Sequence, residues 1–235
     1  MKNLPIVILL FVAFSLGCSG LMNRFANSSS TDSSSNSSST GQSSTTGDAA
    51  TPSGDPRDAI IQASKKFRDL PQFSAKMDGQ GANEMHMKLD YVAPNRFHMY
   101  FMENNGQVKT ETVMIGNDMY VQFGGRWQKI PGAVANNKVP NLRDYFNEEG
   151  IKNLKEVDYV GTDTIDGMPA YVYSYHSDTS VANAMTPYPY DTKIWIDKSE
   201  GLPRKIEVTY QGGNLKTATI VYDYSTSISV EPPIK

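Results

Sequence analysis

The segment Val157–His176 reads VDYVGTDTIDGMPAYVYSYH and predicts two extended strands joined at Asp166-Gly167. An Asp-Gly pair readily adopts the positive φ angles of a tight hairpin turn. After the turn the side chains alternate strictly, with Ala170, Val172 and Ser174 on one face and Tyr171, Tyr173 and Tyr175 on the other. Such alternation of β-branched and aromatic residues is typical of a half-buried strand. The segment therefore predicts a curved antiparallel sheet, and we place this hairpin near its middle.

The sequence from Asp55 onward predicts further strands of the same kind. Short alternating runs are separated by corners rich in Gly, Asn, Asp and Pro, which favours an antiparallel meander over parallel β-α-β units. Besides the hairpin, the predicted strands cover residues 73–78, 85–91, 97–101, 108–115, 119–123, 126–130, 192–197, 203–210 and 217–224. We therefore expect residues 55–235 to form one mainly β domain (α+β) with about eleven strands in a single highly curved sheet.

Two helices accompany the predicted strands. Asp55 places a capping side chain before a proline at the first helical position. Apolar residues then recur at helical spacing up to Pro71, at Ile60, Ala63, Phe67 and Leu70. This N-terminal helix should lie with its apolar stripe against the sheet. A second, inserted helix is predicted over Leu142–Glu149, where it would serve as a lid with Leu142, Tyr145 and Phe146 on its apolar side.

The first residues have the pattern of an export signal. Lys2 is followed by the uncharged run LPIVILLFVAFSLG, which is shorter than the roughly 20 apolar residues of a spanning helix. The residues FSLGC that end at Cys18 resemble the lipobox of bacterial lipoproteins, although Ser15 stands where that motif prefers leucine. The resemblance implies a signal peptide over residues 1–17 and acylation of Cys18. An ordinary cleaved signal and a retained membrane anchor are the alternatives.

The segment after Cys18 predicts a disordered tether over residues 18–54. Fifteen of the nineteen residues from Ser28 to Thr46 are Ser or Thr. Such a composition cannot bury enough apolar surface to offset the entropy of ordering the chain. A flexible segment of this length reaches about 30–36 Å, which would hold the domain clear of a membrane surface.

Charge and composition narrow the classes of function. The formal net charge is −3 without a basic block, which argues against nucleic acid as a partner. Cys18 is the only cysteine, so a disulfide within the chain and a zinc site of several thiolates are excluded. Met85-His86-Met87 has side chains that suit Cu(I), but alternation places His86 on the opposite face from both methionines. We predict no metal and no cofactor.

The sequence contains no catalytic signature of the common hydrolase, metalloprotease or nucleotide-binding families. We therefore predict that the protein is not an enzyme. An enzyme that acts on envelope polymers is the weakest of three functional hypotheses. The tyrosines of the hairpin, together with Trp127 and Trp195, are interpreted as structural packing rather than as ligand contacts.

Three segments resemble a known superfamily. These are GNDMYVQFGGRWQKIP at 116–131, YVGTDTIDGMPAYVYSY at 159–175 and KIWIDKSEGLPRKIEVTY at 193–210. They are similar to the recurring segments of the LolA/LolB lipoprotein-localisation superfamily, which includes the LppX/LprG-type lipid-binding lipoproteins. The resemblance covers most of residues 57–224. It implies an eleven-stranded antiparallel half-barrel, closed on its concave side by helices, with an apolar cavity for acyl chains. The predicted anchor at Cys18 shifts the resemblance toward the membrane-anchored members.

The candidate site is the methionine-rich apolar face of the sheet. Methionine is unbranched and adaptable, which suits a surface that accepts flexible chains of varied shape. The residues predicted to line the cavity are Met77, Met85, Met87, Leu89, Phe97, Met99, Phe101, Met114 and Met119. An ordinary core beneath the helices is the alternative interpretation of these side chains.

Two functional hypotheses follow from this site. The leading one is an extracytoplasmic lipoprotein, anchored to the cell membrane or the outer membrane, that binds or carries acyl chains of lipids or lipoproteins. The alternative is a cell-envelope sensor or regulatory interaction module that uses the same fold with a filled cavity. A face that stays apolar to its mouth favours the first hypothesis over the second.

Overall fold

A computed structural model describes residues 52, 54–82, 84–131, 154–177 and 188–234, and the structural statements below concern these ranges. Three of the expectations above fall outside them. These are the signal peptide with the acylated Cys18, the Ser/Thr-rich tether, and the inserted helix that carries Leu142, Tyr145 and Phe146.

The N-terminal helix, α1, spans Pro56–Arg68 and is capped as its sequence predicts. The Asp55 carboxylate accepts a hydrogen bond of 2.8 Å from the Arg57 amide, and Pro56 occupies the first turn, where its missing N–H costs nothing. The side chains of Ile60, Ala63 and Phe67 are buried, which confirms the apolar stripe. The helix therefore packs on the sheet through the face that its spacing predicted.

Eleven strands follow α1, and all of them pair in antiparallel fashion within one open sheet. Their bounds are β1 Gln72–Gly81, β2 Met85–Val92, β3 Arg96–Met102, β4 Val108–Ile115, β5 Asp118–Phe123, β6 Arg126–Ile130, β7 Leu154–Ile165, β8 Met168–Ser177, β9 Tyr190–Asp197, β10 Pro203–Tyr210 and β11 Leu215–Asp223. The predicted fold class and number of strands are confirmed. The sheet is not closed into a barrel, in agreement with the expected half-barrel.

The order of the strands corrects one prediction. The sheet runs β6-β5-β4-β3-β2-β1-β11-β10-β9-β8-β7, because β1 pairs with β11. The first and last strands therefore lie in the middle, and the Val157–His176 hairpin (β7 and β8) forms one edge rather than the middle. Turn chemistry fixes which sequence neighbours pair, but the pairing of β1 with β11 joins residues at opposite ends of the domain.

The cross-strand register assigns every side chain to one of two faces, because directly opposed residues in an antiparallel pair project to the same side. The face that carries α1 is called the inner face below, and the opposite one the outer face. Under α1, Phe67 lies with its ring centroid 4.7 Å from that of Phe73 in β1 and 5.2 Å from that of Tyr222 in β11. The main core therefore spans the junction between the first and last strands.

The segment after β11 packs on the outer face of the strands at the other end of the sheet. Val230 is buried with Val113 of β4 and Tyr120 of β5. Arg96 donates a hydrogen bond of 2.8 Å to the Val230 carbonyl oxygen, and Gln72 holds the same segment through Thr226 and Ile228. Helix α1 thus packs on β1 and on β11, and the C-terminal segment packs on the N-terminal strands β4 and β5.

Candidate ligand-binding face

The nine residues predicted to line a cavity all project from the inner face of β1–β5. The register places opposite one another Met77 and Met87, Met87 and Phe101, Leu89 and Met99, Phe97 and Met114, and Met114 and Met119; Met85 lies opposite Gly79 on the same face. The structure therefore brings all nine together, and they are called the methionine region below.

Exposure divides the methionine region into two groups. Leu89 is 1% exposed and belongs to the core beneath α1. Met77, Met114 and Met119 are also buried, at 3–7% exposure. Five side chains keep part of their surface open, namely Met85, Met87, Phe97, Met99 and Phe101. The open part of the region is thus formed by methionine and phenylalanine alone.

The tyrosines of the β8 hairpin lie on the same inner face, which the sequence interpretation did not anticipate. Directly opposed residues connect the two ends of this face: Met77 of β1 lies opposite Ile220, and Ile206, Ile194, Tyr173 and Tyr159 follow on β10, β9, β8 and β7. The inner-face tyrosines of β7–β10, called the tyrosine region below, are Tyr159, Tyr171, Tyr173, Tyr175, Tyr190 and Tyr210. Tyr173 is 2% exposed and does serve the structural packing that was predicted for it.

Burial favours the neutral form of three of these phenols. It raises the pKa of Tyr173 and of Tyr210 to about 12 each, and nearby tyrosines add to both shifts. The pKa of Tyr175 is also raised, mainly by burial and then by Tyr190. A phenol whose pKa lies above its ordinary value near 10 remains protonated at neutral pH. Tyr173, Tyr175 and Tyr210 therefore carry uncharged hydroxyl groups.

Thr192 contributes a second kind of hydroxyl to the tyrosine region. Its side chain is 2% exposed and lies on β9 between Tyr175 of β8 and Val208 of β10. Among the described residues, its Oγ1 makes no hydrogen bond of ordinary geometry, but its interaction with the Tyr175 phenol partly offsets the rise in the pKa of that group. Buried hydroxyls nearly always have a partner, because leaving one unpaired costs free energy.

A single cross-strand row joins the two regions. It reads Met85, Gly79, Ala218, Val208, Thr192 and Tyr175 along β2, β1, β11, β10, β9 and β8. Five strand spacings separate its ends, or about 24 Å. Gly79 leaves room in this row for the side chain of Leu215, whose Cδ1 lies 2.8 Å from the place that a Cβ on Gly79 would take. The middle of the row therefore carries only small side chains.

The outer face holds the three histidines, each against a carboxylate on a neighbouring strand. His86 pairs with Asp78, His98 with Glu111 and His176 with Asp191, all at 2.7 Å. As the alternation predicts, His86 faces away from Met85 and Met87. In the ranges that the structure describes, no group of three or more His, Cys, Asp or Glu side chains could hold a metal ion.

A shallow polar hollow of about 290 Å³ also opens between β7 and β10. Its lining includes Asp158, Ser174, His176, Asp191, Lys193 and Glu207, which the register assigns to the outer face. It shares no residue with the methionine region. His176 and Asp191 bind each other within this hollow, which is polar and separate from the predicted site.

Within the described ranges, no helix combines the length and apolar character that crossing a bilayer requires. Residues 142–230, which include β7–β11, match the family described as "Predicted periplasmic protein (DUF2092)". The search of curated proteins returned no match to this sequence.

Two solved structures share the fold over nearly their whole length. The lipoprotein LppX of Mycobacterium tuberculosis is 13% identical, with 75% of this chain and 98% of that chain covered and a TM-score of 0.58. LprF from Mycobacterium bovis is also 13% identical, with 77% and 97% covered and a TM-score of 0.57. The resemblance that the three sequence segments predicted is therefore confirmed in the architecture of the domain, which has the fold of LppX and LprF.

Proposed function

We propose that this chain is an extracytoplasmic lipoprotein, held to a membrane through acylated Cys18, that binds acyl chains of lipids or lipoproteins on its inner face. The methionine region carries the proposal. Five of its side chains, including Met85, Met87 and Met99, are apolar, flexible and partly open on the face that β1–β5 share. Such a surface adapts to chains of different shape.

Burial of an acyl chain on this surface would favour its retention. Each buried methylene contributes about 0.8 kcal/mol, so ten of them give roughly 8 kcal/mol before the cost of association is subtracted. Thr110 and Thr112 are the polar neighbours of this surface on β4, opposite Phe101 and Met99, and neither is charged, so its selectivity for acyl chains would come mainly from shape. The periplasmic description of the matched family supports a location outside the cytoplasm.

The fold supports the same role by analogy. LppX is described as a lipoprotein, and it shares with this chain an open sheet rather than a closed barrel. An open sheet with an apolar inner face needs a covering partner or ligand. The proposal names an acyl chain as that ligand and assigns no catalytic step to any residue.

The test is photocrosslinking of the full chain in the membranes of an expressing bacterium. Cells are fed a photoactivatable fatty acid, and the adducts are mapped by peptide mass spectrometry. Acylation of Cys18 would label the N-terminal peptide, whereas binding on the inner face labels peptides from β2–β5. We expect both kinds of adduct in the wild-type protein.

Two methionine-to-glutamate variants on the same strand provide the control. Met99 projects to the inner face, and Met102 lies opposite His86 on the outer face. Met99→Glu puts an unpaired carboxylate among the chains and should lower the labelling of β2–β5 several-fold. Met102→Glu should leave it unchanged. If the wild-type adducts are confined to the N-terminal peptide, the lipid-binding function is wrong, and the interaction module takes its place.

A further inference from the structure

We propose, on the basis of the lipid-binding function above, that Arg126 binds the anionic headgroup, a carboxylate or a phosphate, of the lipid whose acyl chain lies on the methionine region. The chain crosses β2–β5, and the headgroup meets the guanidinium on the edge strand β6. The ligand is therefore an acidic amphiphile with a defined direction on the inner face.

A row of half-buried side chains leads from the methionine region to Arg126. Met87 lies opposite Phe101, and Phe101 lies opposite Thr110. The Thr110 hydroxyl donates a hydrogen bond of 2.8 Å to a backbone carbonyl oxygen near the end of β5, where Phe123 lies opposite Arg126. Four strand spacings separate β2 from β6, or about 19 Å, which is close to the length of an extended acyl chain. A chain can therefore cover the row with its acidic end at Arg126.

Charge in this half of the sheet is divided between the two faces. The structure describes every residue of β1–β6, and Arg126 is the charged residue that lies opposite an inner-face partner, Phe123. Lys109 is left over at the register shift between β3 and β4. The other charged residues and the histidines of these strands project to the outer face, namely Lys76, Asp78, His86, Lys88, Asp90, Arg96, His98, Glu111, Asp118 and Lys129. A single paired position thus places a cation beside the apolar surface.

The edge of the sheet around Arg126 is open. Arg126 is exposed and, among the described residues, takes part in no ion pair, whereas Arg96 on the outer face is bound to Glu231. The turn before Arg126 consists of Gly124 and Gly125, and a Cβ on either would meet no atom within 4 Å beyond its chain neighbours. A headgroup can therefore reach the guanidinium without displacing a side chain.

The chemistry of the guanidinium selects the class of headgroup. Its planar donors form two parallel N–H···O bonds to a carboxylate or a phosphate, and both groups supply the negative charge that Arg126 lacks as a partner. Because the position is exposed, the anion keeps part of its hydration while the acyl chain is buried. An uncharged headgroup gains less at this position, and a cationic one is repelled.

The experiment compares two pairs of photoactivatable lipids in membranes from cells that express the full chain. One pair is palmitic acid and palmityl alcohol, and the other is phosphatidic acid and diacylglycerol with identical chains. The buffer is held at about pH 8.5, where a carboxyl group is ionised and arginine remains protonated. We expect about three- to fivefold more labelling of peptides from β2–β6 by the anionic member, the factor that a partly exposed charge pair provides. A preference within only one pair identifies the bound group as carboxylate or as phosphate.

The position of the photoactivatable group tests the direction of the ligand. A group next to the headgroup should label peptides from β5 and β6, which contain Phe123 and Arg126. A group at the far end of the chain should label peptides from β2 and β3, which contain Met87 and Phe101. The reverse pattern would contradict the proposed direction.

Arg126→Gln removes the charge and keeps a side chain of similar length. Labelling by the anionic lipids should fall to the level of their uncharged partners, whose own labelling should not change. Arg126→Lys should keep part of the preference, because an ammonium group is a cation without the planar fork of donors. Lys129→Gln removes the same charge from the outer face of the same strand and should leave the preference unchanged. Since Arg126 forms no ion pair among the described residues, Arg126→Gln should not lower the melting temperature.

The outcomes separate this inference from the proposed function. Equal labelling within both pairs, or a preference that survives Arg126→Gln, would show that Arg126 is a solvated charge and would overturn the inference while leaving lipid binding intact. Headgroup labelling of peptides from β9–β11 would instead assign the anion to cations of the other half, Lys198 or Lys216. If no member of either pair labels the inner face, the proposed function fails, and the headgroup inference fails with it.

Discussion

The two halves of the inner face carry different side chains on one continuous sheet. The methionine region, on β1–β5, consists of flexible apolar side chains, whereas the tyrosine region, on β7–β10, consists of rigid rings with a hydroxyl at the tip. Methionine adapts to the shape of what it contacts, and tyrosine fixes the position of a polar group. The two halves therefore differ in the flexibility and in the polarity of the side chains that they present.

The halves are joined by two reciprocal contacts. Helix α1 precedes β1 but packs against Tyr222 of β11, and Lys66 on the same helix donates a hydrogen bond of 2.7 Å to the Glu200 carbonyl oxygen. The C-terminal segment follows β11 but buries Val230 on β4 and β5. Substitutions can therefore test the contacts that connect the two halves as well as the side chains within each half.

The largest effect is expected from Phe67→Ala. Phe67 is 1% exposed and contacts both Phe73 and Tyr222, so its loss opens a cavity at the junction of the halves. We expect the free energy of unfolding to fall by about 3–5 kcal/mol. Gln62→Ala, on the exposed side of α1, should change it by less than about 0.5 kcal/mol.

Tryptophan fluorescence reports this loss in each half separately. Trp127 lies on β6 and Trp195 on β9, so Trp127→Phe and Trp195→Phe each leave one reporter. In denaturant titrations of Phe67→Ala, both reporters should shift to the same lower midpoint. A shift of only one reporter would show that the halves unfold independently, contrary to a shared core.

Val230→Ala tests the contact that the C-terminal segment makes. Val230 is 2% exposed and packs on Val113 and Tyr120. Removal of two buried methyl groups should cost about 1–2 kcal/mol. Ser229→Ala, one position earlier and exposed, is the control. An effect of Val230→Ala that does not exceed that of Ser229→Ala would mean that the segment does not stabilise the N-terminal strands.

The turn that starts this segment predicts a pH dependence. The Thr226 and Ser225 hydroxyls and the Ser225 amide donate to the Asp223 carboxylate and lower its pKa to about 2. Since a lowered pKa stabilises the folded state above the unfolded pKa near 4, this contribution is lost as pH falls from about 4 to about 2. Because Asp223 is partly solvated, we expect about 1 kcal/mol. Asp223→Asn should flatten the stability profile in this window, and an unchanged profile would contradict the assignment.

The local structure was largely predictable from sequence. Asp166 and Gly167 have φ angles of 50° and 80°, as the predicted hairpin turn requires. The predicted bounds of β4 and β6 are those observed, Val108–Ile115 and Arg126–Ile130. These features depend on the residues of one turn and on the alternation of the strands beside it, so a single sequence contains the information.

The organisation of the site was predictable only in part. Alternation shows which residues of one strand share a face, and it grouped the nine apolar residues of β1–β5 correctly. It does not show that the tyrosines of β8 project to the same side, because that relation passes through the pairing of β1 with β11. The burial of Thr192 depends in turn on the pairing of β9 with both β8 and β10, and the residues around Thr192 alone do not signal it.

Leucine substitutions in the methionine region should have the smallest effect on stability. They test whether the flexibility of methionine sets the range of acyl chains that bind. Met85→Leu, Met87→Leu and Met99→Leu conserve volume, so each should cost less than about 1.5 kcal/mol. Leucine has fewer rotatable bonds and adapts less well to a ligand. The triple variant should therefore bind a narrower range of acyl-chain lengths than the wild-type protein.

Met102→Leu, on the outer face of β3, is the matched control and should change neither property. The measurement is the distribution of chain lengths among lipids crosslinked to the full chain in membranes. If the triple variant keeps the wild-type distribution of chain lengths, the flexibility of these three methionines does not set the range of chains that the inner face accepts. Shape tolerance would then have to come from the phenylalanines of the same face, Phe97 and Phe101, or from movement of the strands.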